Sequence, residues 1–123
     1  MPNGILIVDD NAVIRRMVRT EFEDISGWEV YGEAENGWEA IEKARELKPD
    51  LIVLDLAMPI MSGLEAAPVL RGMMPAVPII MFTLHDNITV EREALALGVS
   101  AVVSKAAGMK TLVNQAQELL TAA

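Results

Sequence analysis

Ile5-Leu6-Ile7-Val8-Asp9-Asp10 is a strand-length apolar run that stops on two adjacent carboxylates. Four apolar residues without a break suit a strand covered on both faces. Two like charges about 4 Å apart repel by roughly 4 kcal/mol at an effective dielectric of ~20. A chain that keeps Asp9 and Asp10 together at a buried strand end usually supplies a cation to them. Hard divalent cations such as Mg²⁺ favour carboxylate oxygen and retain several waters.

Further apolar runs of strand length follow at Trp28–Ala34, Leu51–Leu54, Val77–Phe82 and Ala101–Val103. Helical patterns lie between them. The first helix is expected to bury Ile14, Met17, Val18, Phe22 and Ile25, at spacings of three to four residues. The second is expected to bury Ala40, Ile41, Ala44 and Leu47. Asn36 with Glu39, and Ser62 with Glu65, read as capping boxes that open the second and third helices. Pro68 falls inside the third and predicts a kink or a short irregular start. The fourth helix should run from about Asn87 to Leu97 and stop at Gly98. The fifth should bury Met109, Leu112, Val113, Ala116 and Leu120.

This alternation predicts an α/β fold: a (βα)5, flavodoxin-like three-layer sandwich on a parallel five-stranded sheet. In the second strand, Val30, Gly32 and Ala34 alternate with Glu29, Tyr31 and Glu33, which marks an edge. The strand order is therefore expected to be 2-1-3-4-5. Ligands then bind beyond the carboxyl ends of strands 1 and 3, where the order reverses.

The 123 residues suit one domain spanning 1–123, and 52% hydrophobic content is enough for a core. The absence of cysteine excludes disulfides, thiol chemistry and thiolate metal sites. No apolar stretch nears 18 residues and no basic leader precedes the first strand, so neither a membrane span nor a signal peptide is expected. A cytoplasmic location fits these features. The net charge of −8, with no basic stripe, argues against direct nucleic-acid binding by this domain.

Polar residues close the strands: Asp9 and Asp10 after the first, Asp55 after the third, Thr83 after the fourth and Lys105 after the fifth. Taken singly, each has an ordinary reading as a helix cap, a loop residue or a solvated charge. Together, at one edge of one sheet, they read as a phosphoryl-accepting carboxylate site. Asp55 would be the nucleophile. Asp10 and Asp55 would hold Mg²⁺, with Asp9 acting through water. Lys105 would pair with a phosphoryl oxygen as a point charge, and Thr83 would donate to another.

Over its whole length the chain resembles the receiver domain of two-component response regulators. The resemblance rests on Ile5–Asp10, Pro49–Pro59, Ser62-Gly63-Leu64-Glu65, Pro78–Thr83, Ala94–Gly98 and Ser104-Lys105, in that order. It implies that Asp55 is phosphorylated and that Asp9 and Asp10 form the Mg²⁺ pocket. The backbone carbonyl of Ala57 would be a further metal ligand, and Thr83 and Lys105 would be switch residues. The implied partners are a sensor histidine kinase or histidine phosphotransfer protein, and a protein effector or an output domain missing from this chain. Homodimerisation through the face of helix 4, strand 5 and helix 5 is also implied. Such a domain catalyses its own phosphoryl transfer and dephosphorylation and is not otherwise an enzyme. Ser104-Lys105-Ala106-Ala107-Gly108 resembles receivers that precede LuxR-type DNA-binding domains.

The chain departs from the pattern at several positions. Ala106 stands where many receivers have a cis-proline. A cis bond before a non-proline costs about 2.5–4 kcal/mol, so a trans peptide is expected. Val102 replaces an aromatic switch residue, so output is expected through the loop after strand 4 and the helix 4–strand 5–helix 5 face. Leu84 is expected to narrow the pocket entrance or fold away as a lid. His85, the single histidine, reads as a loop residue or part of the rim. Trp28, Tyr31 and Trp38 are expected to pack with partial exposure rather than form a binding platform, Met58 to cover the pocket, and Met73 and Met74 to be exposed. Arg15 and Arg16 read as solvated charges on the side where this family docks its kinase.

A dehalogenase-type phosphatase would need an acid where Ala57 stands. A flavin binder would need a phosphate loop where Asp9-Asp10-Asn11 would repel the anion. The remaining alternative is a degenerate receiver, serving as an unphosphorylated protein-docking module.

Overall fold

Asn3–Val8 forms the first strand (β1), an inner strand whose apolar residues are buried in a sheet covered on both sides. The computed structural model describes residues 2–121. After β1 come α1 (Ala12–Glu23), β2 (Trp28–Ala34), α2 (Gly37–Leu47), β3 (Leu51–Leu54) and α3 (Gly63–Met73). Then follow β4 (Ile79–Thr83), α4 (Ile88–Ala96), β5 (Ala101–Ser104), a 3-10 turn at Lys105–Ala107 and α5 (Met109–Thr121). The five strands are parallel in the order β2-β1-β3-β4-β5, as the sequence pattern predicts.

The two faces of the sheet carry separate cores. Leu6, Val8, Ile52, Leu54 and Met81 pack under Ala40, Ala44, Ala66, Leu70 and Ala94, which come from α2, α3 and α4. Ile5, Ile7, Val53, Ile80 and Phe82 pack under Val18, Phe22, Leu112 and Ala116, which come from α1 and α5. Alternate residues of β1 thus supply opposite cores, as the period of a strand requires. Alanines on the α2–α4 side let those helices approach the sheet closely.

The structure corrects several local expectations. Between β1 and β2, Ile5 pairs with Val30 and Leu6 with Gly32, so Tyr31 is an extra residue of β2 in a bulge. The bulge reverses the alternation. Val30 therefore joins the α1–α5 core while Ala34 joins the α2–α4 core, rather than sharing a face. Asn36 accepts from the Glu39 amide at 2.9 Å, but only Ser62 and Glu65 complete a reciprocal box; Glu39 instead reaches Lys43 at 3.7 Å. Met17 is exposed, because Val18 and Phe22 already fill the inward face of α1.

Pro68 lies on an exposed side of α3, which begins regularly at its capping box and continues to Met73. The irregular start expected from Pro68 is therefore absent. Met73 and Met74 are half-buried against the α2–α4 core rather than exposed, since the chain turns there into β4.

The start of α3 is pressed onto the end of β3. Gly63 N donates to Leu56 O at 2.8 Å, and a Cβ at Gly63 would lie 2.0 Å from the Asp55 carbonyl oxygen. Gly72, on the same helix, has open space around it. Gly63→Ala is expected to lower stability by about 3 kcal/mol in urea unfolding, because backbone must move. Gly72→Ala should raise it by up to about 1 kcal/mol, through helix propensity alone.

Candidate functional site

Parallel pairing brings the strand ends to one edge. Asp9 N donates to Ala34 O at 3.0 Å and Asp55 N donates to Val8 O at 2.9 Å, so both acids leave the sheet at the same level. At the other side of β3, Thr83 is in register with Ser104, the residue before Lys105. Ser104 Oγ accepts from Ala106 N at 3.1 Å and caps the 3-10 turn that presents Lys105.

The five polar residues expected at the strand ends gather there. Lys105 Nζ lies 2.7 Å from Asp9 Oδ2 and 3.3 Å from Asp55 Oδ2. All three groups are nearly enclosed, with side-chain exposures of 10% for Lys105, 4% for Asp9 and 8% for Asp55. The second oxygen of each carboxylate accepts a backbone amide: Asn11 N for Asp9 at 2.9 Å, and Leu56 N for Asp55 at 2.8 Å. Asp10 is exposed, and Asn11 beside it caps α1 through the amides of Val13 and Ile14. Asp9, Asp10 and Asp55 each offer an oxygen within 4.8 Å of the other two.

Charge at this edge is unbalanced. Burial pushes the Asp55 carboxyl up and the neighbouring Asp9 charge pushes it further, with Lys105 and the Leu56 amide opposing. Burial alone would lower the Lys105 ammonium, but Asp9 and Asp55 hold it above its usual value. Three carboxylates therefore face one ammonium. An all-oxygen donor set with excess negative charge fits a hard divalent cation such as Mg²⁺.

The surrounding loops shape the mouth. Thr83 is wholly buried, and its Oγ1 accepts from His85 N at 3.1 Å. Leu84 is 73% exposed on the loop after β4. His85 is an exposed loop residue. No cis peptide occurs among the described residues, so Lys105–Ala106 is trans, as expected. Ala57 lies in the exposed loop after Asp55. In that loop Met61 N donates to Pro59 O at 2.7 Å around Ile60, whose φ of 70° is strained for a β-branched residue.

A family model described as the response regulator receiver domain matches residues 5–117.

The chain belongs to this family.

Among curated relatives of this receiver, a protein-glutamate methylesterase/protein-glutamine glutaminase from Methanococcoides burtonii is 42% identical over 118 residues. That match covers 94% of the receiver and 33% of the relative. The response regulator GacA of Pseudomonas viridiflava is 35% identical over 110 residues, covering 89% of the receiver and 51% of GacA. The receiver thus spans about a third to a half of these two proteins. The response regulator domain of Thermotoga maritima CheB superposes with a TM-score of 0.91 at 28% identity, covering 100% of the receiver and 99% of that chain. A LuxR-family response regulator from an Aurantimonas species gives 0.92 at 32% identity, covering 98% and 86%.

Other regions do not join the site. A cavity of about 600 Å³ lies between the C-terminal ends of α2 and α3, at the opposite edge of the sheet. It is lined in part by Arg45, Lys48, Met73 and Met74. Among the described residues, no helix is long and apolar enough to cross a membrane.

Sequence reasoning missed the role of Arg15. Its side chain is 13% exposed rather than solvated, donating to Glu33 at 2.8 Å and to the Asp9 carbonyl at 2.7 Å. Arg19 donates to the other Glu33 oxygen at 2.7 Å. The i,i+4 spacing of Arg15 and Arg19 was a visible signal for a shared acceptor, but which acid it was depended on where β2 lies. Burial would raise the Glu33 carboxyl, yet Arg19 and Arg15 together hold it below the usual carboxylate range.

A depressed folded-state value contributes stability above the unfolded value and loses it as pH falls through the folded one. Glu33→Gln is therefore expected to be about 1 kcal/mol less stable than wild type at pH 7, a figure discounted for partial exposure. In unfolding titrations the gap should narrow as pH falls past the ordinary glutamate value of 4.5 and close once pH lies below the lowered folded value.

Proposed function

We propose that this receiver is a phosphorylation-dependent signalling switch of a two-component system, with Asp55 as the phosphoacceptor. The observation that carries the reading is the Lys105 ammonium spanning Asp9 and Asp55 inside the cluster of three acids. The phosphoryl group comes from a sensor histidine kinase or a histidine phosphotransfer protein. A carboxylate oxygen of Asp55 attacks phosphorus, and the imidazole leaves as the N–P bond breaks.

Asp9, Asp10, Asp55 and the Ala57 carbonyl are the residues that would hold Mg²⁺. When bound, it neutralises the carboxylates and the incoming phosphoryl oxygens. Lys105, poised on Asp55, pairs with a phosphoryl oxygen. The Thr83 hydroxyl accepts from His85 N and so keeps its own proton to donate to another. Exposed Val13, Ile60 and Leu84 lie on the loops and helix start around Asp55 and offer an apolar rim for the phosphodonor.

Output runs through α4, β5 and α5. α4 buries only Ala94, while Ile88 and Leu95 are exposed, so the helix is lightly held and free to shift. Its movement presents a changed face to a protein effector, to an output domain linked to the receiver, or to a second copy.

Thermal unfolding with Mg²⁺, with and without beryllofluoride, tests the reading. A native-state binder at about 100 times its Kd adds roughly 2.7 kcal/mol, which raises the midpoint by several degrees. Wild type is expected to show this shift only with Mg²⁺, and Asp55→Asn to show none. No shift in wild type would favour the unphosphorylated docking module.

A further inference from the structure

Arg15 stands behind the acidic cluster rather than in it. Nη1 donates to the main-chain oxygen of Asp9 at 2.7 Å. That oxygen belongs to the peptide joining Asp9 to Asp10, and a peptide unit moves as a rigid plane. Its orientation sets the directions in which both carboxylates leave the backbone. One hydrogen bond from α1 therefore bears on two of the three candidate metal ligands.

The guanidinium is itself held. Nε donates to Glu33 Oε1 at 2.8 Å, and Nη2 lies 3.7 Å from Glu35 Oε1. Glu33 is fixed in turn by Arg19 at its other oxygen and by its place in β2, opposite Ile7. Lys43 donates to the Glu33 carbonyl from α2. Helices on both faces of the sheet thus secure the acid that orients Arg15. A planar fork is needed to serve Glu33 and the Asp9 carbonyl together, and an ammonium lacks it.

We propose that Arg15, oriented by Glu33, is a positioning residue for the divalent-cation site, holding the Asp9–Asp10 peptide so that both carboxylates meet Asp55. This rests on the switch reading above. Arg15 acts through Asp9 and Asp10 and touches neither phosphodonor nor metal.

The test is calorimetric titration with Mg²⁺ of wild type, Arg15→Ala, Arg15→Lys, Glu33→Gln, Arg19→Ala and Asp10→Asn, with thermal midpoints measured alongside. Partners outside the ligand set of a metal site typically change affinity by 10-fold or more, so Arg15→Ala is expected to weaken Mg²⁺ binding about tenfold. Arg15→Lys and Glu33→Gln should fall between it and wild type. Arg19→Ala removes an ion pair from the same acid but leaves the Asp9 contact. It should lower the midpoint while weakening Mg²⁺ binding less than Arg15→Ala does, since β2 and Lys43 still hold Glu33.

Equal Mg²⁺ affinity in wild type and Arg15→Ala would overturn the assignment and leave the switch intact. Equal weakening in Arg19→Ala and Arg15→Ala would also overturn it, by showing a general loss of rigidity. Should Arg15→Ala fail to fold, Arg15→Lys and Glu33→Gln decide: wild-type affinity in both overturns the assignment. A wild type that binds no Mg²⁺, or an Asp10→Asn that binds it normally, would overturn the cation site itself and this assignment with it.

Discussion

Two buried carboxylates from neighbouring strands share one ammonium, and the rest of the structure exists around that constraint. Asp9, Asp55 and Lys105 lie far apart in the chain yet sit within 3.3 Å of a common nitrogen. A lone buried acid would lose its charge, and an unpaired buried ammonium would do the same. Only a rigid frame delivers all three to one point. The parallel sheet is that frame, because every strand ends at the same edge and every crossover helix lies on a face.

The frame is most deeply buried beneath Asp9 and Asp55 and least so at α4. β1, β3 and β4 are buried almost throughout, and α3 is seated directly on the Asp55 carbonyl through Gly63. α4, by contrast, contributes a single buried side chain. The receivers of Thermotoga maritima CheB and of the Aurantimonas regulator share this backbone at about a third sequence identity or less.

Most of the fold was legible because its signals are local. Apolar runs, Asn and Ser caps, and Gly98 after α4 each announce their element within a few residues. Several failures were cases where a neighbour outvoted the local pattern. Tyr31 looked like one step of a simple alternation, but pairing with β1 makes it a bulge residue and sends Val30 and Ala34 to opposite cores. Glu39 looked like half of a capping box, but Lys43 takes its side chain. Met17 matched the helical period, yet α1 has no further room against the sheet.

The sequence by itself determined the class of fold, the strand order and the acids and base at the strand ends, because periodicity and strand-end chemistry are written in consecutive residues. Tertiary structure alone decided which charges meet. Arg15 and Arg16 are adjacent and equally basic, yet one is locked between Glu33 and the Asp9 carbonyl while the other is exposed. Their difference is a turn of about 100° around one helix, and it acquires meaning only when β2 lies beside β1. Electrostatic pairing acts over a few ångströms in space, and distance along the chain carries no record of it.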